Sequence, residues 1–103
     1  MTAVLNNFQN GITATGYAAS SVIGPFTLLG GDYLVIANDT GTVAQTLKIA
    51  DPAGNFIAVG SSTTFSAVGT ALVGLPAGLY EIAVGSGATS AIAAVLPVPL
   101  RNH

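Results

Sequence analysis

The chain has 103 residues, of which half are hydrophobic and only 6% are charged. Ordinary globular domains carry about 25% charged residues, so charge repulsion does little to keep a free monomer of this chain dispersed. Its two cations, Lys48 and Arg101, are too few for nucleic-acid binding, which depends on phosphate neutralisation. The most apolar run, residues 91–100, contains two prolines and is about half the length of a membrane span.

The first segment, residues 1–11, is predicted to be an N-terminal arm. It has no clean hydrophobic period, and its three asparagines and closing Gly11 are typical of a loop or arm. Its apolar residues Val4, Leu5 and Phe8 gain nothing from exposure to water, so we predict that they bind a partner. The alternative for this segment is a frayed terminus.

Eight segments have the length, alternation and turn punctuation of β-strands. Pro25 predicts an edge position or a break in the second, and Gly69 a break or bulge in the sixth. The third, residues 32–38, is nearly continuously apolar, which indicates burial on both of its faces. The eight segments are residues 12–17, 22–29, 32–38, 43–50, 55–60, 65–75, 79–85 and 91–96. The prolines of residues 97–103 predict an extended C-terminal tail.

This spacing predicts one β-sandwich domain over residues 12–96. Seven or eight short antiparallel strands with turns between them fit a jelly-roll-like sandwich, and an immunoglobulin-like order is the alternative. Two strands share the pattern Gly-x-Tyr, at Gly31–Tyr33 and at Gly78–Tyr80. The inward phase of the strongest strands predicts the core residues Tyr33, Val35, Leu47, Ile49, Tyr80, Ile82 and Val84.

The residues that could carry catalysis are few. The single histidine, His103, is the last residue, no cysteine is present, and serine has no credible partner. Asp39 and Asp51 fall in turns, where a carboxylate caps backbone N–H groups. Glu81 falls in mid-strand, where it could face Lys48 across a strand pair. We therefore predict no catalytic residues, no cofactor and no enzyme activity.

Ligand sites are also thinly supported by the sequence. Zinc needs His or Cys clusters, and calcium would need Asn38, Asp39 and Asp51 to meet without any Asp-x-Asp spacing, so no metal site is predicted. Sugar binding usually needs aromatic platforms. Tyr17 and two inward-phased tyrosines are the candidates for that role.

Three motifs together resemble a known group of proteins. They are a Gly-Gly-x-Tyr strand from Gly30, an Asp-Pro-Ala-Gly-Asn hairpin from Asp51, and L-P-A-G-L-Y-E-I-A-V over residues 75–84. In this the chain resembles small proteins encoded among the structural genes of tailed bacteriophages. The resemblance implies a non-enzymatic virion component, such as a capsid decoration (cement) or head-fibre protein, and carries no catalytic residues.

The same resemblance implies a location and partners. Decoration proteins of this size are β-rich and often trimeric, so we expect a homotrimer at the capsid surface, bound to the major capsid protein or another virion protein. The alternative is a ligand-binding β-sandwich, such as a head-fibre or receptor-binding domain that recognises carbohydrate or a host surface. Neither hypothesis involves nucleic acid or a membrane.

Overall fold

A computed structural model describes residues 3–98, which form ten β-strands and one short 3-10 turn, Ser61–Thr63. The strands are β1 (Val4–Phe8), β2 (Gly11–Tyr17), β3 (Val22–Leu28), β4 (Gly31–Asp39), β5 (Gln45–Ala50), β6 (Phe56–Ala58), β7 (Thr64–Phe65), β8 (Gly69–Leu75), β9 (Gly78–Val84) and β10 (Ala91–Pro97). No helix within residues 3–98 is long and apolar enough to cross a membrane.

The strands form two antiparallel sheets. The first sheet has the order β1-β2-β10-β4-β8, and the second has the order β3-β9-β5-β6, with β7 beside β5. From β2 onwards the chain crosses between the sheets at nearly every connection. The two facing sheets then have the double Greek-key order of a jelly roll, with β2-β10-β4-β8 opposite β3-β9-β5-β6. The jelly-roll prediction is confirmed. The immunoglobulin-like alternative is wrong, because that fold keeps its fourth and fifth strands in one sheet, whereas β4 and β5 lie in different sheets here.

Two differences from the sequence prediction raise the strand number to ten. The predicted arm contains β1, whose residues pair in antiparallel register with β2 from Val4 to Phe8, so this part of the arm is an edge strand of the sandwich. The predicted strand over residues 65–75 is divided, because β7 pairs in the second sheet and β8 in the first. The chain crosses between the sheets just before Gly69.

The prediction for Pro25 is confirmed in both respects. Strand β3 lies at the edge of the second sheet, and its register against β9 shifts between Ile23 and Phe26. A proline cannot donate a ladder hydrogen bond, so an irregular edge position accommodates it. At the other end of the chain, Pro97 closes β10 and the backbone N–H of Val98 donates to the carbonyl of Asp32 at 2.9 Å. The rest of the predicted tail, residues 99–103, lies outside the described residues.

The core lies between the two sheets, and the predicted core residues are found there. Six of the seven are buried, and Ile49 is half-buried against the same cluster. Both tyrosines of the Gly-x-Tyr pattern are fully buried, and each is tied to the turn before its strand. The Tyr80 hydroxyl donates to the carbonyl of Pro76 at 2.6 Å, and the Tyr33 hydroxyl accepts from the N–H of Gly30 at 3.0 Å. The repeated pattern therefore anchors turns to the core.

Candidate interaction surface

The outer face of the first sheet is unusually apolar. Along β4, Tyr33, Val35 and Ala37 are buried in the core, and the alternate residues Leu34 and Ile36 point away from it, since successive side chains of a strand take opposite faces. An antiparallel sheet that faces water normally places polar residues at such positions. Here two large aliphatic side chains take them.

Neighbouring strands extend this surface in a row across the sheet. Leu34 lies opposite Leu96 of β10 on one side and opposite Leu72 of β8 on the other. At the far edge, Phe8 of β1 lies opposite Gly11 of β2. Because Val95 pairs with Ile12, Leu96 and Gly11 come level in the next step of the ladder. The row therefore runs from Phe8 to Leu72 across all five strands.

Gly11 is the one residue of this row without a side chain, and the close packing around it leaves no room for one. A Cβ at Gly11 would meet the Phe8 ring at 2.7 Å and the Pro97 ring at 3.0 Å, and would also collide with the carbonyl of Val95. The backbone carbonyl cannot move away as a flexible side chain could. The Phe8 ring thus lies over Gly11 and joins β1 to the apolar residues of β10.

The next rows add smaller apolar and uncharged polar residues. Ile36 lies opposite Ala94 and Thr70, Asn6 lies opposite Thr13, and Val4 lies opposite Thr15. Within residues 3–98, the one charged side chain on this side of the sheet is Asp32, at the margin where β4 begins. We call this surface the apolar face: Val4, Phe8, Leu34, Ile36, Leu72, Ala94 and Leu96, with Asn6, Thr13, Thr15 and Thr70 among them.

The outermost residues of the apolar face are substantially exposed. Leu72 is 65% exposed and Phe8 is 45% exposed. Single exposed apolar residues are normal on protein surfaces, whereas contiguous apolar patches bordered by polar residues mark interaction sites. The row from Phe8 to Leu72 is contiguous, so the apolar face is the surface of this chain best suited to contact another macromolecule.

The outer face of the second sheet provides an internal comparison. Lys48 of β5 lies directly opposite Glu81 of β9, which confirms the cross-strand placement predicted from the sequence. Thr46 lies opposite Ala83 on the same side. The same face exposes Val22 and Leu79, at 45% and 40%, but the two charged residues separate its apolar side chains. The two outer faces of the sandwich therefore differ in chemistry, since only the second places charged side chains in the middle of its strands.

The three residues predicted to bind a partner divide between two environments. Val4 and Phe8 lie on the apolar face and are partly exposed. Leu5 points the other way, opposite Ala14, and packs against the hydrophobic core of its own chain. Sequence reasoning missed Leu34, Leu72 and Leu96 as surface residues. The signal that could have found the first of them is the unbroken apolar run over residues 32–38.

A polar cluster surrounds Asp39 at the end of β4. Its Oδ1 accepts hydrogen bonds from the backbone N–H of Gly41 at 2.7 Å, Thr89 at 2.9 Å and Ser90 at 3.1 Å. Burial raises the pKa of Asp39, and these three backbone hydrogen bonds lower it and prevail, so the net pKa lies below its ordinary value. Asp39 remains ionised at neutral pH and fastens the β9–β10 loop to the end of β4.

Asp39 does not form part of a metal site within the described residues. No three acidic, His or Cys side chains of residues 3–98 come together to hold a metal ion. Asp51 lies beyond the opposite end of β5, where its Oδ1 accepts from the N–H groups of Ala53 and Asn55, both at 2.9 Å. The turn-capping prediction is therefore confirmed for both aspartates, with the addition that Asp39 also caps a second loop.

The tyrosines proposed as sugar platforms face inwards. Tyr33 and Tyr80 are fully buried, and Tyr17 packs partly buried against the core. A surface depression of about 280 Å³ on the second sheet is lined by Phe65, by small apolar residues and by the polar side chains Gln45, Thr46, Lys48 and Thr64. Its one aromatic ring is half-buried, so it lacks the exposed aromatic platform that carbohydrate recognition generally uses.

Comparison with known proteins adds no family to this description. No protein-family model, no curated protein and no solved structure matches the chain.

Proposed function

We propose that this chain is a non-enzymatic structural protein of a tailed-bacteriophage virion. In this role it is a capsid decoration (cement) protein that binds the major capsid protein or another virion protein at the capsid surface and stabilises the shell. It acts by burying surface against other chains, not by chemistry on a ligand. The proposal combines the motif resemblance with the architecture of residues 3–98.

The observation that carries the proposal is the apolar face. A sheet surface with a row of apolar residues across five strands and one marginal carboxylate is suited to contact with protein. The jelly-roll order is compatible with this role, since jelly rolls occur in viral capsid domains, but they also occur in lectins. Fold alone therefore does not choose between the two functions.

The burial of the tyrosines favours the structural role over carbohydrate recognition. A lectin-like site would need an exposed ring, and the rings of Tyr33 and Tyr80 are used inside the sandwich. Phe8 is an exposed aromatic residue, but its ring packs beside Gly11 and Pro97, and it is the one aromatic residue of the apolar face. The surface suits a protein better than a sugar.

The proposed assembly is a homotrimer. A chain with so few charges leaves wide neutral surfaces, and closed symmetric association is the usual way to cover them. Light scattering of the purified chain should give about three times the 10.1 kDa chain mass. A stable monomer at high concentration would contradict the homotrimer.

The decoration role is tested in particles. Phage particles from a culture that carries the gene are purified by density gradient, and the chain is quantified by mass spectrometry against the major capsid protein. We expect it to co-migrate with intact particles at a fixed ratio, and to be required for their resistance to heat or chelator. Recovery of the chain only outside the particle fractions would overturn the proposal.

A further inference from the structure

The geometry points to a second copy of this chain as the partner of the apolar face. We infer that the outer faces of the first sheets of three copies meet around a three-fold axis, each face against the other two, with Leu72 and Phe8 buried in the contact. The inference deepens the proposed function, since it rests on the proposed self-association and names the surface that produces it. The remaining surface is then left for other virion proteins.

The chemistry of the face suits an identical partner. Contacts between different proteins usually gain their specificity and orientation from complementary charges, and Asp32 is the one charged side chain that residues 3–98 place on this side of the sheet. Aliphatic side chains, threonine and glycine are compatible with copies of themselves. A symmetric contact therefore needs no group that this face does not already present.

The size of the face is also appropriate. Five strands about 4.8 Å apart are roughly 24 Å wide, and strands of about seven residues at about 3.4 Å per residue are roughly 24 Å long. The projected area is therefore about 580 Å², compared with about 800 Å² per partner in a standard stable interface. The face supplies most of the required area, and the adjoining edge of the sheet supplies more.

The edge of the sheet beside Leu72 provides an independent observation. Strand β8 is one of the two edge strands of the first sheet, and its sequence GTALVGL contains no charge and no proline. Natural proteins protect exposed edges with lysine, proline or a covering segment, because an open edge pairs with other chains. Just before β8, Val68 is 66% exposed. A neighbouring copy seated on the apolar face would also cover this edge.

The test uses one matched pair of substitutions on opposite faces of the sandwich. Leu72→Glu places a charge on the apolar face, next to Asp32, which cannot neutralise it. Leu79→Glu is the control, because Leu79 is also an exposed leucine, 40% exposed, but lies on the outer face of the second sheet opposite Thr27. Circular dichroism verifies that both variants fold, and sedimentation equilibrium measures their mass.

We expect the unaltered chain and Leu79→Glu to sediment as the same oligomer. Leu72→Glu should sediment at the 10.1 kDa monomer mass, with dissociation constants raised at least 100-fold, because an unpaired carboxylate would lose its water in the contact. An unaltered chain that is monomeric, or a Leu72→Glu variant that keeps its oligomeric mass, would overturn the inference. Equal dissociation of both variants would also overturn it.

A second measurement keeps the inference testable if Leu72→Glu does not fold. The chain contains no cysteine, so Leu72→Cys and Leu79→Cys each accept one spin label without competing sites. In the assembled protein, a soluble relaxation agent should reach the label at position 79 several-fold faster than the label at position 72. Equal access to the two labels would contradict the proposed contact.

These results are separable from those for the decoration role. If the chain is found in particles but is monomeric in solution, the copy–copy contact is wrong and the decoration role stands. If Leu72→Glu abolishes oligomers but no particle contains the chain, the contact stands and the decoration role is wrong.

Discussion

Replacing Asp39 tests how much its three hydrogen bonds stabilise the loops at one end of the sandwich. The Asp39 carboxylate holds three backbone N–H groups, one before β5 and two in the loop between β9 and β10. Asp39→Ala removes all three acceptor contacts at once. The N–H of Ser90 is in a buried residue, and leaving a buried donor unsatisfied costs about 1–3 kcal/mol.

The other two donors, Gly41 and Thr89, are in exposed residues, so water replaces part of what they lose, at about 0.5–1.5 kcal/mol each. Relief of the buried charge offsets part of the sum. We expect Asp39→Ala to lower the free energy of unfolding by about 3 kcal/mol. Asp39→Asn keeps an acceptor in place but loses the charge. Charge-assisted hydrogen bonds are about twice as strong as neutral ones, so its loss should be about half as large.

The control is Asp51→Ala, which removes two hydrogen bonds of similar length from an exposed turn. Water reaches both donors there, and the loss should be at most about 1 kcal/mol. Urea denaturation at one fixed protein concentration, followed by far-UV circular dichroism because the chain has no tryptophan, measures all four proteins. An Asp39→Ala variant within about 0.5 kcal/mol of the parent, or no weaker than Asp51→Ala, would refute this account of Asp39.

The lowered pKa of Asp39 adds a pH dependence with a defined sign. A carboxyl group whose pKa is lower in the folded chain than in the unfolded chain stabilises the fold at pH values above the unfolded pKa of about 3.9. That stabilisation is lost as the pH falls from about 4 through the folded pKa. The Asn variant has no ionisable group at this position. Its stability should therefore approach that of the parent as the pH is lowered below 4.

Two further predictions concern the core and the termini. Tyr80→Ala should lower the free energy of unfolding by about 3–5 kcal/mol through the cavity it leaves. Tyr80→Phe should lower it by about 1 kcal/mol through loss of the hydrogen bond to Pro76. Urea denaturation measures both, and an Ala variant within about 0.5 kcal/mol of the parent would mean that the ring does not support the core. Deleting residues 2–9 removes the edge strand β1 and, with it, Phe8 of the proposed copy–copy contact. The truncated chain should still fold, but it should lose the oligomer and with it incorporation into particles, whereas deletion of residues 98–103 should retain both. Full incorporation without residues 2–9, or failure to fold, would show that this segment is not the docking element.

The sequence predicted the parts of the fold that follow from local patterns. Alternation and turn chemistry located the core strands β4, β5 and β9, the Asp51 hairpin and the Lys48–Glu81 pair. Strand β1 was missed, because the asparagine-rich segment has no period of its own and becomes a strand only by pairing with β2. The division of residues 65–75 was located near Gly69, but nothing in the alternation indicates that its two parts belong to different sheets.

The two main surface features, the hydrogen bonds of Asp39 and the apolar face, differ in how much of them the sequence could predict. The hydrogen bonds of Asp39 join it to residues 50 and 51 positions away, so only the three-dimensional arrangement reveals them. The apolar face was partly visible in the continuous apolar run of β4. Its extension to Leu72 was not, because β8 has small residues in both phases and its sequence does not say which side faces the core.

The contrast between β4 and β9 supports the proposal that the folded chain is part of a larger assembly. On the outer side of β9, Glu81 lies opposite Lys48, and Leu79 is 40% exposed. On the outer side of β4, Leu34 lies between a leucine of β8 and a leucine of β10. A charged pair therefore interrupts the apolar residues outside β9, whereas the row through Leu34 continues across the sheet without one. Because contiguous apolar surface marks interaction sites, we propose that the side of β4, and not that of β9, is covered in the assembly.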